Sequence, residues 1–226
     1  VPQRAVDYLK QLAVVYNRQA NEDKNVVALR TEQFINSRLE KINNELSQTE
    51  GQLQSFKERN RMVNLPMNAG ASFNSKNEYD KKMVDAQTQI DLLNSVSDFM
   101  NEAGSNGQVM PSNIGLSDPS ATALINRYNE LVLERNRLLQ TASESSPVVE
   151  PLTQQIQELR QNIRGALNQS RRNLQIQRNA MSSQMGRFSA EVSQTPQQER
   201  ILTEIGRQQE VRSGLYMMLL QKREEN

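Results

Sequence analysis

The side chains best equipped for chemistry in this sequence are arginines. Between Arg160 and Arg187 lie Arg164, Arg171, Arg172 and Arg178, with no Asp or Glu before Glu191. A guanidinium stays charged and presents a planar fork of donors, so such a rail suits contact with a polyanion. The partners in view are an acidic sugar polymer, an anionic headgroup and an acidic partner helix. Set against this is a plainer reading, a solvated face whose counter-charges sit on a neighbouring helix, for example at Glu45 or Glu50. No aromatic is interleaved with the rail, which weakens any model of base stacking. Lys+Arg 27 against Asp+Glu 26 leaves a net charge of +1, so no global attraction to nucleic acid is expected.

Other chemistry is pruned by what is missing. With no His there is no Ser–His nucleophile pair, no imidazole ligand and no imidazole general base. With no Cys there is no disulfide, no thiolate and no Cys-based zinc site, a composition that suits reducing and oxidising compartments alike. None of the nine glycines is followed by Lys, so a GxxxxGK[ST] phosphate loop is excluded. No D-x-D run with a following Gly offers a simple calcium loop. Glu40 with Asn44 and Lys41 with Glu45 fall at helical spacing and read as solvated pairs. Asn168-Gln169-Ser170 matches a glycosylation acceptor but lies mid-helix, where it reads as chance. Tyr216, Met217 and Met218 suit a partner groove, although such a cluster is more often packing. No catalytic, cofactor-binding or metal-ligating residue is expected, and no cofactor.

The elements that carry these residues are helices. Hydrophobic residues make up 36% of the 226 positions and aromatics 4%, against about 45–50% apolar in an ordinary domain. That is too little for one deep core and enough for narrow seams between long helices. Ile35, Leu39, Ile42, Leu46, Leu53 and Phe56 follow alternating steps of four and three, with Thr49 in the vacant position, which is the coiled-coil pattern. Val6, Leu9, Leu12, Ala13, Tyr16, Val27 and Ala28 form a looser stripe upstream. Together they predict a helix over 2–63, with Gly51 the one place for a kink. Asn64 to Asn77 reads as a loop, and Ser75 with Glu78 has capping-box spacing. Met83, Ala86, Ile90, Leu93 and Met100 predict a second helix over 76–101, followed by a longer loop from Gly104 to Ser117.

Asp118–Pro119, Ser146–Pro147 and Thr195–Pro196 each place a capping side chain before a proline suited to the first helical position. Gln198 adds a capping-box partner for Thr195. The third helix, 119–143, carries Leu124, Tyr128, Leu131, Leu138 and Ala142, with Arg135 interrupting its seam. The fourth, 148–190, carries Leu152, Ile156, Leu159, Ile163 and Leu167, then Leu174, Met181 and Phe188. Pro151 leaves its start ambiguous, since a proline four residues into a helix breaks the first turn. The fifth, 196–225, carries Ile201, Ile205, Leu215 and Leu219. Sustained period-two alternation is missing, so the fold class is all-α: one elongated antiparallel bundle of long helices over 1–226 with little or no sheet. Apolar runs such as Leu12–Tyr16 and Leu215–Leu220 are far short of the ~20 residues that span a bilayer. The chain opens at Val1 without Met, which suggests a piece of a longer protein.

The closing stretch, from Thr195-Pro196-Gln197-Gln198-Glu199 through Leu215-Tyr216-Met217-Met218-Leu219-Leu220-Gln221-Lys222-Arg223-Glu224-Glu225, resembles the membrane-proximal segment of polysaccharide co-polymerases. These are the chain-length determinant proteins, often fused to a bacterial tyrosine autokinase. The pattern is a Pro, a Gln/Glu run, a mid-helix Arg, then Tyr, a Leu pair and a basic–acidic close. Here it falls on Pro196, Gln198, Glu199, Arg207, Tyr216, Leu219, Leu220, Lys222 and Glu225. The opening, with Ala5, Tyr16, Asn17, Asp23-Lys24, Phe34-Ile35 and Arg38-Leu39, is similar to the family's rising helix. Ile125-Asn126-Arg127-Tyr128-Asn129 and Ser146-Pro147-Val148-Val149 look like kinase-fused members of Bacteroides type.

The resemblance implies a non-catalytic periplasmic domain of a bacterial inner-membrane protein that regulates the length and export of capsular polysaccharide or exopolysaccharide. The implied partners are further copies of itself in a ring, a polysaccharide polymerase, an outer-membrane export channel and the polysaccharide. The kinase domain, both membrane helices and most of the family's α/β base are not found in this sequence. Two other functions stay open from the residues alone. One is a periplasmic adaptor hairpin of an efflux or secretion system, against which the several proline-started helices argue. The other is a cytoplasmic coiled-coil scaffold, against which the changes of register at each Pro or Gly break argue.

Overall fold

The computed structural model describes residues 2–59, 72–102, 107–191 and 197–226. The chain is all-α, with five helices and no strand among the described residues. They are α1 (Pro2–Arg59), α2 (Ser72–Asn101), α3 (Pro119–Leu138), α4 (Glu150–Glu191) and α5 (Gln197–Glu225). At ~1.5 Å per residue the 58 residues of α1 extend about 87 Å. None of the described helices is long and apolar enough to cross a membrane.

Side-chain pairs fix the directions. Arg212 of α5 bonds Thr49 of α1, and Arg223 reaches Asn36, so α1 and α5 are antiparallel. Arg207 of α5 meets Asp80 of α2 and Met218 meets Gln89, so α5 and α2 are parallel. Arg164, Arg171 and Arg178 of α4 reach Asn101, Asn94 and Gln87 of α2, so α4 is antiparallel to α2. The start of α4 lies against α3, and from Arg160 onward α4 reaches α2. α2 is thus the central element. Its Leu92, Leu93, Val96 and Met100 are all buried, more of its circumference than the predicted four-three stripe includes.

The seam expected in α1 is present. Ile35, Leu39 and Ile42 are buried, Thr49 is 2% exposed in the vacant heptad position, and Leu46 packs from the edge. Thr49 tolerates that place because its hydroxyl donates to the Glu45 carbonyl one turn back, at 2.8 Å. The upstream stripe behaves differently: Val6, Leu9, Leu12 and Tyr16 are exposed, Tyr16 at 72%.

Helix ends account for most departures from expectation. The helix expected to reach residue 63 is described to Arg59 and runs unbroken through Gly51; residues 60–63 lie outside the described residues. α2 begins at Ser72, so Ser75 is inside the helix and does not cap it. No Pro or Gly intervenes to stop the extra turn. Asp118 does cap α3, accepting from the Ser120 and Ala121 amides at 2.8 and 3.2 Å with Pro119 behind it. α3 ends at Leu138 and not near 143. Thr141 turns its hydroxyl onto the Leu138 carbonyl, and Ser146 accepts from the Val148 amide, so side chains here compete for backbone groups. α4 starts at Glu150 and not at 148, which resolves the proline conflict. Residues 147–149 form a turn closed by the Val149 and Glu150 amides on the Ser146 carbonyl, and Pro151 then sits in the first turn, where no N–H is required. The Thr195–Pro196 cap lies outside the described residues.

The connection from α2 to α3 is packed instead of looping free. Val109, Met110 and Ile114 are buried, and two side-chain amides grip its backbone as a neighbouring strand would. Asn129 accepts from the Met110 amide at 2.7 Å and donates to its carbonyl at 2.9 Å. Gln89 donates to the Gly115 carbonyl at 2.9 Å and accepts from the Ser117 amide at 3.0 Å. Gly115 has φ +90, and a Cβ there would meet the Met218 sulfur at 3.0 Å, so this corner needs glycine twice over.

Candidate functional site

Four of the six rail arginines, Arg160, Arg164, Arg171 and Arg178, lie on one seam, and their acceptors on α2 are neutral. Arg164 Nη2 donates to Asn101 Oδ1 at 3.2 Å, Arg171 Nη1 to Asn94 Oδ1 at 3.3 Å, and Arg178 Nη1 to Gln87 Oε1 at 2.6 Å. Each seven-residue step along α4 is matched by a seven-residue step back along α2, so the rungs form a ladder of heptad period. Arg160 lies at the α3 end of the same seam and donates to the Met100 carbonyl. Arg172 is exposed on α4, while the Arg187 side chain lies outside the described residues.

α2 carries five carboxylates, Glu78, Asp80, Asp85, Asp91 and Asp98, yet none of them accepts from a rung arginine. The counter-charge expected at Glu45 is engaged elsewhere. Glu45 pairs with Arg38 on its own helix at 3.8 Å and with Arg212 of α5 at 3.4 Å, so it is not the solvated partner of Lys41. Arg135, the break in the α3 seam, donates to the Thr153 hydroxyl of α4 at 2.8 Å and lies 3.7 Å from Glu144. A polar residue in a helix seam is tolerated when a facing element supplies an acceptor, and these arginines all meet that condition.

Past the last rung the seam opens. α4 and α5 both lean on α2, and between them lies a polar cleft of about 510 Å3. Arg178, Arg207 and Arg212 converge on it, together with Asp91 and Glu204. Arg207 is held by Asp80 at 3.0 Å and Glu204 at 2.8 Å. Gln87 carries the link onward, donating to Asp91 Oδ1 at 2.9 Å. Burial raises the Asp91 carboxyl above its ordinary value, opposed by the Gln87 bond and by the nearby Arg38 and Arg212 charges. At the far end of the seam, burial likewise raises the Tyr128 phenol, with Arg160 acting against it.

The residues of the family-like close are distributed along α5. Leu219 is fully buried, and Tyr216 and Leu220 pack on the edge of the core. Lys222 pairs with Glu225 at 2.5 Å. Met218 packs on Gly115, whereas Met217 is 62% exposed and Ile201, expected in the seam, is 39% exposed. Pro196 and the side chains of Gln198 and Glu199 lie outside the described residues. Sequence reasoning noticed the arginines and missed their acceptors. The signal was there, since Gln87, Asn94 and Asn101 repeat at the same interval as Arg164, Arg171 and Arg178. Comparison of the chain with protein-family models, with curated proteins and with solved structures returned no match.

Proposed function

We propose that the chain is a non-catalytic periplasmic module of an inner-membrane polysaccharide co-polymerase, acting on the chain length and export of a capsular polysaccharide or exopolysaccharide. The observation that supports this most is the pairing of α1 with α5. The helix that resembles the family's rising helix and the one that carries its closing pattern lie antiparallel, with Ile35, Leu39 and Ile42 of α1 in the same core as Leu215 and Leu219 of α5. Such a rod is what a spoke in a ring of identical subunits requires. An adaptor hairpin would be a two-helix rod, and the α2-centred arrangement of five helices fits it less well.

The reading is tested in the producing bacterium. Leu215→Asp with Leu219→Asp in the intact protein places carboxylates in the α1–α5 seam, and the size distribution of the secreted polymer is then measured on gels. A changed modal length at unchanged polymer composition is the expected result. An unaltered distribution from cells whose mutant module is unfolded would overturn it.

A further inference from the structure

The cleft between α2, α4 and α5 has an uneven charge balance that a purely structural seam does not need. Three guanidiniums border it, and two are matched by carboxylates: Arg207 by Asp80 and Glu204, Arg212 by Glu45. Arg178 is not: among the described residues its acceptors are two neutral amides, Gln87 Oε1 at 2.6 Å and Asn179 Oδ1 at 3.2 Å. Gln87 donates one N–H of its own amide to Asp91. A guanidinium offers five N–H donors and binds best to an anion with two oxygens in one plane.

The other lining groups narrow the ligand further. Ser182 and Gln208 donate and accept, and Asp91 and Glu204 accept from hydroxyls. Met83 and Val211 are the two apolar side chains of the lining, and no aromatic ring is among the described residues that form it. That excludes a stacking platform for a base. A volume of about 510 Å3 is ample for a small ligand.

We infer that this cleft binds a hydroxyl-rich organic acid, a uronate unit of an acidic saccharide, whose carboxylate pairs with Arg178 while its hydroxyls are held by the amide and carboxylate side chains. The choice of a saccharide over another polyhydroxy acid rests on the function proposed above; the carboxylate-and-hydroxyl chemistry rests on the cleft alone.

The test is calorimetric titration of the whole chain with trigalacturonate, with maltotriose as the uncharged control and sodium sulfate as the bare anion. Trigalacturonate should bind, maltotriose should not, and excess sulfate should not displace the sugar completely. Arg178→Gln should weaken binding at least tenfold. Asn179→Asp, at an exposed position, should do the same by setting a carboxylate beside the guanidinium, and it keeps the test sharp if Arg178→Gln melts early. Arg172→Gln, on the same helix, should leave binding within twofold. Failure to bind, full displacement by sulfate, or equal losses from Arg172→Gln and Arg178→Gln would overturn the site. None of these readouts measures polymer length, so the site and the proposed function can fail separately.

Discussion

Two seams of this molecule run on the same heptad period and solve it with opposite chemistry. Between α1 and α5 the repeating positions are Ile35, Ile42, Leu215 and Leu219, nearly all closed to water. Between α2 and α4 apolar residues such as Leu93 and Ile163 are flanked by repeating guanidinium–amide rungs. The apolar seam gains its stability from area removed from water, which is non-directional and tolerates sliding. The rungs gain little net energy, but they are directional and match in one register. An amide acceptor also spares the seam the second desolvation cost that a half-buried carboxylate would bring. The contrast teaches that one seam chiefly holds the bundle together while the other chiefly aligns it.

The largest effect that would break this comparison is expected in the apolar seam. Ile42→Ala or Leu219→Ala should each lower unfolding free energy by about 2–5 kcal/mol, since both side chains are fully buried and a cavity remains. Urea denaturation followed by helical circular dichroism measures this directly. Losses under about 1 kcal/mol would mean that this seam is not the main source of stability.

A rung should cost less. Asn94→Leu leaves Arg171 without its cross-helix acceptor, and about 1 kcal/mol is expected, the lower end for an unpaired polar group because the site is half-buried. Adding Arg171→Met should recover part of that loss, because an apolar pair leaves nothing unsatisfied. If the double variant is worse than either single one, the guanidinium contributes more by packing its stem than by its bond to Asn94.

The smallest effect concerns Asp91, where the two kinds of seam meet. Its folded-state pKa is raised, chiefly by burial, so the ionised form is penalised in the folded chain. The penalty is full above the raised value and disappears as the pH falls below the unfolded-state value. Asp91→Asn keeps an acceptor for Gln87 and should raise the melting temperature at neutral pH, with the gain shrinking as the solution is acidified. A lower melting temperature at neutral pH would show that attraction to Arg38 and Arg212 outweighs the cost of burial.

Much of the fold was legible in the residues because helix formation and amphipathic patterning are local. The four-three spacing from Ile35 to Leu46 marked its buried face, and Asp118–Pro119 marked the start of α3. Ends without such a signal were misjudged: Ser75 looked like a cap only because nothing local shows that the helix had already begun. The exposed stripe at Val6, Leu9 and Tyr16 makes the same point from the other side, since periodicity shows which face is apolar and not whether a neighbour reaches it.

What this sequence determined by itself was helix content, the identity of the seams and the presence of an unbalanced row of arginines. Partner and register were decided only by tertiary packing. Arg178 faces Gln87 because α4 docks on α2 at one particular offset, and Glu45 serves Arg212 because α5 docks on α1 at another. A period recorded along a single helix is unchanged by sliding that helix one repeat. The offset becomes fixed where contacts outside that repeat close between helices, Arg160 of α4 on the Met100 carbonyl and Arg207 of α5 on Asp80.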